Sequence, residues 1–349
     1  MQEFYVKDRK IGGNAPVFII AEMSANHLQD YEKAIKIIKE AANAGADAIK
    51  LQTYTPDTMT LNSNKKYFQI TQGTIWDGTT LYELYKKAYT PWDWQPKLKE
   101  IAEELGLIFF STPFDKTSVD FLEEMNVDLY KIASFEINDI PLIKEIAKKG
   151  KPIIFSNGIA ELSDIELAIK TMKYENNEKI AMLKCTSAYP TPIEESNLLT
   201  ISNIRDTFNI VAGLSDHSQG ITVPITSVAL GAKIIEKHMC LDRNLGGPDA
   251  KFSLEPEEFK LMVKSVREAE KALGKVSYEL TEKQLKSKEH SRSIFISKDI
   301  KKGEKITEDN IIITRPAFGL HPKYYEEILN KTAKVDIEEG EPLKWSYIH

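Results

Sequence analysis

Eight times along this chain a short apolar, β-branched run is followed by a longer stretch of helical periodicity, and no other feature restricts the fold as much. Parallel strands cannot be joined by a tight turn, so each member of such a series needs a crossover, and the helix supplies it. The predicted strands are Val17–Ala21, Ala48–Gln52, Leu107–Ser111, Leu129–Ala133, Pro152–Ser156, Ile180–Cys185, Ile210–Leu214 and Ala232–Lys237. Eight units in about 260 residues match a closed (β/α)8 barrel, a TIM barrel, whereas an open doubly wound sheet more often has fewer units and a Gly-rich first turn. No G-x-G-x-x-G or Walker-type loop is present.

Local signals punctuate the helices. Asp30 is a predicted cap of the first, the AGAD turn ends it, Ser163 is placed to open the helix containing DIELAIKTM, and Glu255–Lys271 has the clearest amphipathic pattern. Between Leu61 and Trp94 the rhythm breaks into a long second loop rich in aromatics. Loops of that length are usually functional or disordered, and aromatic density argues against disorder. After Gly274 the pattern changes again. The predicted organisation is a barrel over residues 1–275, a charged linker over 276–290, and a small β-rich unit over 291–349 built from SIFISKDI, IIITRP and the turns KKGE and EEGEP. So small a unit is marginal alone and is expected to dock on something.

A formal charge of −6 gives no reason to expect nucleic acid, whose binders concentrate basic charge on one face. The opening residues offer neither a signal-peptide core nor a membrane span, so a cytoplasmic protein without membrane association is expected. Cys185 and Cys240 are too few and too far apart for a disulfide framework or a zinc knuckle, and both are read as core thiols.

Working residues of a β/α barrel sit at the C-terminal ends of its strands. Polar residues accumulate there: Glu22; Lys50 and Gln52; Ser111 and Thr112; Lys131, Ser134 and Glu136; Ser156 and Asn157; Thr186, Ser187 and Tyr189; Ser215, Asp216 and His217; Glu236 and His238. His217 and His238 lie one unit apart, hence on adjacent strands, and either share a divalent ion or make ordinary hydrogen bonds. Lys50 and Lys131 end inward-facing strands, where a cation is costly without an anion. A phosphate or carboxylate ligand satisfies that need, with hydroxyls of Thr112, Ser134, Ser156 and Ser215 around it, and so do ion pairs with Glu22 and Glu136. Asp216 and Glu236 either orient the histidines or pair with Lys237 or Arg243.

Six segments carry a resemblance: AEMSANH from Ala21, GADAIKLQTYTPD from Gly45, KIASFE from Lys131, KCTSAYPTP from Lys184, GLSDHS from Gly213 and IEKHM from Ile235. With them the chain resembles, end to end, the sialic acid synthase (NeuB-like) family, whose members condense phosphoenolpyruvate with an amino sugar. The SANH variant, WDGTTLYELY, TPWDW, STPFD and TRPAFGLHP are similar to the branch that makes pseudaminic acid. The N-acetylneuraminate and legionaminate branches have a GxNH-type first motif and no such Trp-rich loop.

The resemblance implies that His217 and His238 bind a divalent metal, Mn²⁺ foremost with Mg²⁺ or Co²⁺ as alternatives. It implies that Lys50, Thr112, Lys131, Ser134, Ser156, Ser187 and Ser215 hold phosphoenolpyruvate, Ser187 standing where the sialate branch usually has Asn. Gln52, Tyr189 and Asp249 would meet the acceptor, and Glu22 or Glu136 would handle the proton of the attacking water or else remain paired with lysine. The small unit is similar to the SAF or antifreeze-like domain, which in this family crosses to the other subunit of a homodimer and brings Arg315 to the acceptor's acyl-amino group. A diacetamido-trideoxy-hexose acceptor would give Trp76, Tyr82 and Phe318 apolar surface to pack on, though loop anchoring explains such aromatics equally well. A barrel enzyme taking a phosphorylated sugar would want a second basic cluster, which is not obvious here. A noncatalytic sugar- or ice-binding protein is the rival from a different class.

Overall fold

A computed structural model describes residues 2–71 and 73–349; Met1 and Gln72, the latter inside the long second loop, lie outside it. The chain divides into two compact units, residues 1–274 and 275–349.

Eight parallel strands close the first unit: β3 (Phe18–Glu22), β4 (Ala48–Thr53), β5 (Ile108–Pro113), β6 (Tyr130–Ile132), β7 (Ile153–Ser156), β8 (Ile180–Cys185), β9 (Val211–Asp216) and β10 (Ile234–His238). Each pairs with the next, and β10 returns to β3 with His238 level with Glu22. Every predicted strand is present, shifted by two residues or fewer at its start. The period-two alternation of a strand decides what faces where. On β8, Ile180 and Met182 join the layer beneath the helices, while Ala181 and Leu183 enter the barrel interior. Interior space is tight enough that a Cβ on Gly213 would stand 2.6 Å from both the Ile234 carbonyl oxygen and Leu183 Cδ2. Glycine is therefore required there.

Two strands that the sequence patterning did not announce, β1 (Glu3–Val6) and β2 (Arg9–Gly12), form an antiparallel hairpin. Its Phe4, Val6 and Ile11 are buried in the same cluster as Phe18, Ile20 and Ile234, closing the end of the barrel where the strands begin. Each such side chain contributes roughly 1.5–3 kcal/mol of burial free energy.

Among the helices, Asp30 caps Tyr31–Asn43 as expected, accepting from the Lys33 N–H at 3.1 Å. Ser163 does not open its helix. Leu162–Tyr174 begins earlier because the Asp164 carboxylate reaches back to accept from the Glu161 N–H at 3.0 Å. The long second loop contains a helix of its own, Leu81–Ala88, and a short one, Pro56–Met59, leads into it. Rings fasten it to the barrel: Trp92 stacks on Phe121 at 4.8 Å, Tyr85 meets Tyr54 edge-on at 5.6 Å, and Trp94 contacts the buried His27 at 5.8 Å. His27 accepts from the Gln29 N–H, and burial lowers it to about 4, so it serves this anchor as a neutral ring.

In the second unit β11 (Ser293–Ile296) pairs antiparallel with β12 (Ile311–Thr314) over a core of Ile294, Ile296, Ile306, Ile328 and Leu343. Residues 282–288, expected as linker, form an exposed helix. Among the described residues no helix is long and apolar enough to cross a membrane.

Candidate active site

Following the inward-facing residues up each strand shows how the barrel makes a site. Phe18 and Ile20 give way to Glu22, Ala48 to Lys50, Phe110 to Thr112, Leu129 to Lys131, Ile154 to Ser156, Leu183 to Cys185, Val211 to Ser215 and Ile234 to Glu236. One layer of polar groups thus lies on an apolar stack, and above it opens a cavity of about 530 Å³.

The floor of that cavity is a charge network. Lys50 Nζ lies 2.9 Å from Glu22 Oε2 and 3.3 Å from Glu236 Oε1, and Lys131 Nζ lies 3.8 Å from the same Glu236 oxygen. All four residues are buried, and two ammonium groups facing two carboxylates cancel formally. Burial raises Glu22 to about 7 against the pull of Lys50. Burial also opposes the charge of Glu236, yet Lys131 and Lys50 together hold it below the usual carboxylate range. Lys131 is lowered by its burial, whereas Glu22 and Glu236 outweigh the burial of Lys50 and raise it. Ion pairing of lysine with Glu22 is therefore present, but the other partner is Glu236 rather than Glu136. Glu236 does not pair with Lys237 or Arg243, because it faces inward; Lys237, facing outward, takes Asp216 at 2.6 Å.

Hydroxyls surround the lysines. Lys50 donates to Thr112 Oγ1 at 3.4 Å and Ser215 donates to Glu236 at 3.2 Å. Ser134 Oγ accepts from the Gly158 N–H at 3.1 Å, and the enclosed Ser156 hydroxyl has no partner. A Cβ on Gly158 would stand 2.0 Å from Ser187 Oγ and 2.7 Å from Ser134 Oγ, so only glycine lets this hydroxyl pair and backbone converge. Cys185, expected in the core, lines the cavity instead, its sulfur 3.8 Å from His217 Nδ1.

At the rim, the rings of His217 and His238 are 5.3 Å apart and both line the cavity. His217 Nδ1 is 3.2 Å from the Thr186 carbonyl oxygen. A carbonyl only accepts, so Nδ1 carries the proton and the Nε2 lone pair is free. His238 Nδ1 and Glu236 Oε2 are enclosed without a hydrogen-bond partner. These donors suit a divalent ion sharing the two imidazoles. Among the described residues no group of three or more His, Cys, Asp or Glu side chains is arranged to hold one unaided, so further ligands would come from elsewhere.

An apolar wall comes largely from the second loop: Met59, Ile70, Trp76, Leu81, Leu84 and Tyr85. Trp76 donates its indole N–H to the Pro248 carbonyl at 3.0 Å and packs on Tyr189, which in turn lies 4.4 Å from the His217 ring. Tyr82 faces away, bonded to Asp57, and the exposed Phe318 belongs to the second unit.

Of the residues expected from sequence, Lys50, Gln52, Lys131, Ser134, Glu136, Ser156, Tyr189, Ser215, His217, His238 and Asp249 line this one cavity. Glu22 and Thr112 reach it through Lys50, and Ser187 stands against Gly158. Arg315 is exposed just beyond β12 in the second unit. Not singled out from sequence were Glu236 as the partner of both lysines, and Ser24, which donates to Asp249 at 2.5 Å.

The NeuB family matches residues 37–278 and the SAF domain matches residues 291–348. The chain is 51% identical to pseudaminic acid synthase of Campylobacter jejuni subsp. jejuni serotype O:23/36 (strain 81-176), over 95% of this chain and 96% of that one. It is 46% identical to pseudaminic acid synthase of Helicobacter pylori (strain ATCC 700392 / 26695), over 94% and 96%. The crystal structure of N-acetylneuraminic acid synthetase from Leptospira borgpetersenii, in complex with citrate, superposes with a TM-score of 0.74 at 36% identity, covering 82% of this chain and 95% of that chain.

Proposed function

The chain belongs to the NeuB family, and from that premise we propose that it condenses phosphoenolpyruvate with 2,4-diacetamido-2,4,6-trideoxy-beta-L-altropyranose and water, giving pseudaminic acid and phosphate. One observation carries the chemistry: a single cavity joins a floor of two buried lysines and unpartnered hydroxyl to a rim of two histidines with a free ring nitrogen. The acceptor is carried by the likeness to the two pseudaminic acid synthases and by an apolar wall suited to a 6-deoxy carbon and acetamido methyl groups.

In this reading Lys50, Lys131 and the hydroxyls of Thr112, Ser134, Ser156, Ser187 and Ser215 hold the phosphate and carboxylate of phosphoenolpyruvate. The two lysines release part of their pairing to Glu22 and Glu236 as the ligand arrives. Gln52, Tyr189 and Asp249 orient the open-chain sugar so that its aldehyde faces the enol carbon. The double-bond electrons form the new C–C bond while the aldehyde π pair moves onto its oxygen, which takes up a proton, and cationic character develops at the neighbouring carbon. Water adds there, and its proton passes to Glu22 or Glu136, the two carboxyls that burial raises to about 7 and so poises for exchange at neutral pH. The C–O bond then breaks and phosphate leaves with the electron pair. A divalent ion on His217 and His238, Mn²⁺ in the first instance, would supply Lewis-acid polarisation of the aldehyde.

The reading extends to a cytoplasmic homodimer in which Arg315 of the partner subunit meets the acceptor's acyl-amino group. Exposure of Arg315 at the end of β12 suits that role. The test uses phosphoenolpyruvate labelled with ¹⁸O at its bridging oxygen, supplied with Mn²⁺ and the diacetamido sugar. Phosphate carrying the label, formed one for one with a nine-carbon acid, is expected. Unlabelled phosphate, or phosphate without the acid, would sink the proposal.

A further inference from the structure

We propose that Ser24 is a positioning residue for the acceptor sugar, its hydroxyl fixing the Asp249 carboxylate and the Gln52 amide at the cavity wall. Ser24 opens the short 3-10 turn Ser24–His27 directly after β3, with φ of 45°. That left-handed conformation disfavours any residue with a Cβ. Nine non-glycine residues among those described have positive φ, five of them asparagines, which tolerate it, and Ser24 alone of the nine lines the cavity. A strained backbone maintained where glycine would sit at ease points to a use for the side chain.

The use is visible in the hydrogen bonds. Ser24 Oγ donates to Asp249 Oδ2 at 2.5 Å and accepts from Gln52 Nε2 at 3.0 Å. The same Gln52 nitrogen donates to Glu22 Oε1 at 3.1 Å. Asp249 Oδ2 also accepts from the Ala25 N–H, so the single Ser24 hydroxyl proton goes to Asp249 and the Ser24 oxygen accepts from Gln52, which sets the direction of the chain from that end. Gln52 is thereby locked with its amide nitrogen toward Glu22 and Ser24, leaving its carbonyl oxygen as an acceptor. Asp249, buried and raised by that burial, is held by Ser24 and the Ala25 N–H through Oδ2. Its Oδ1 remains to accept from a ligand. Gln52 and Asp249 both line the cavity, so two acceptors are presented to hydroxyl or amide N–H donors, which a sugar has and the ionised phosphoenolpyruvate lacks.

This inference rests on the acceptor reading above. Ser24→Gly removes the hydroxyl and the backbone strain together, and Ser24→Ala removes the hydroxyl alone. Steady-state kinetics would be run on both with whichever amino sugar the wild-type protein turns over, so that failure of the diacetamido sugar counts against the earlier reading and leaves the ratio of variant to wild type to judge Ser24. Both variants are expected to lose roughly tenfold to hundredfold in kcat/KM for the sugar, the worth of a hydrogen bond to a charged group. KM for phosphoenolpyruvate should stay within about twofold, and the Tm of Ser24→Gly should equal or exceed that of wild type. A glycine variant with unchanged kcat/KM for the sugar overturns the proposal, as does a parallel rise in KM for phosphoenolpyruvate.

Discussion

The floor and the apolar wall of the cavity are built on different principles. The floor projects from eight hydrogen-bonded strands, so Glu22, Lys50, Lys131 and Glu236 are set by a register that cannot slip without turning every side chain to the other face. The wall projects from a connection held by ring contacts such as Tyr85 on Tyr54 and by single bonds such as Trp76 to Pro248. A rigid, charged floor suits the part of a reaction common to a family, and a wall on a loop suits the part that varies between members. On the proposed function, reaction type would reside in the floor and acceptor preference in the wall.

Mutations can break that separation. The largest effect is expected on the floor: Lys131→Met leaves Glu236 with less compensation and removes a cation from the proposed phosphoenolpyruvate site. Loss of kcat/KM for phosphoenolpyruvate on the order of a thousandfold is expected with every acceptor. A loss confined to one acceptor would show that floor and wall are not independent. Next comes Trp76→Ala, which deletes an aromatic face of the wall and its contact with Tyr189. KM for the sugar should rise about tenfold while KM for phosphoenolpyruvate holds, measured by phosphate release.

The smallest effect concerns Glu136, which lines the same cavity. It is half-buried, its Oε2 is enclosed without a partner, and burial raises it to about 7. The folded protein keeps this proton up to about pH 7, whereas the unfolded chain releases it near the ordinary value of 4.5. Stability from this group is therefore present at pH 4 and declines as pH rises through that window. Glu136→Gln should remain stable where wild type loses ground, a relative gain of roughly 1 kcal/mol between pH 5 and pH 8.5 by urea unfolding once solvent screening of this half-buried carboxyl is discounted. An equal difference at both pH values would mean that Glu136 titrates normally and belongs to the solvent-exposed wall.

The same contrast governs what the sequence revealed. Floor residues were legible because strand period and the strand-end rule name positions one by one, and Lys50, Lys131, His217 and His238 stand where expected. Their partners were less legible. Lys50 reaches Glu236 two strands away around the barrel, a contact that no spacing along the chain encodes, whereas the cross-strand pair Asp216–Lys237 follows from register. The aromatics of the loop could be counted but not sorted, since Trp76 lines the cavity while Tyr82 turns out to Asp57 and Trp92 stacks on Phe121. Ser24 was hidden for another reason: its importance lies in a backbone angle that residue type alone argues against. The N-terminal hairpin escaped notice because Phe4, Val6 and Ile11 are single apolar residues among charges, meaningful only against the barrel end they fill.

On the proposed function this floor and this wall together select phosphoenolpyruvate and a diacetamido-trideoxy sugar. Side-by-side kcat/KM values with Mn²⁺ and phosphoenolpyruvate for 2,4-diacetamido-2,4,6-trideoxy-altrose, its legionaminate counterpart and N-acetylmannosamine test it most directly. The altrose sugar should be preferred by at least about a hundredfold, or roughly 2.7 kcal/mol of transition-state discrimination. Turnover of N-acetylmannosamine with none of the altrose sugar would contradict the account.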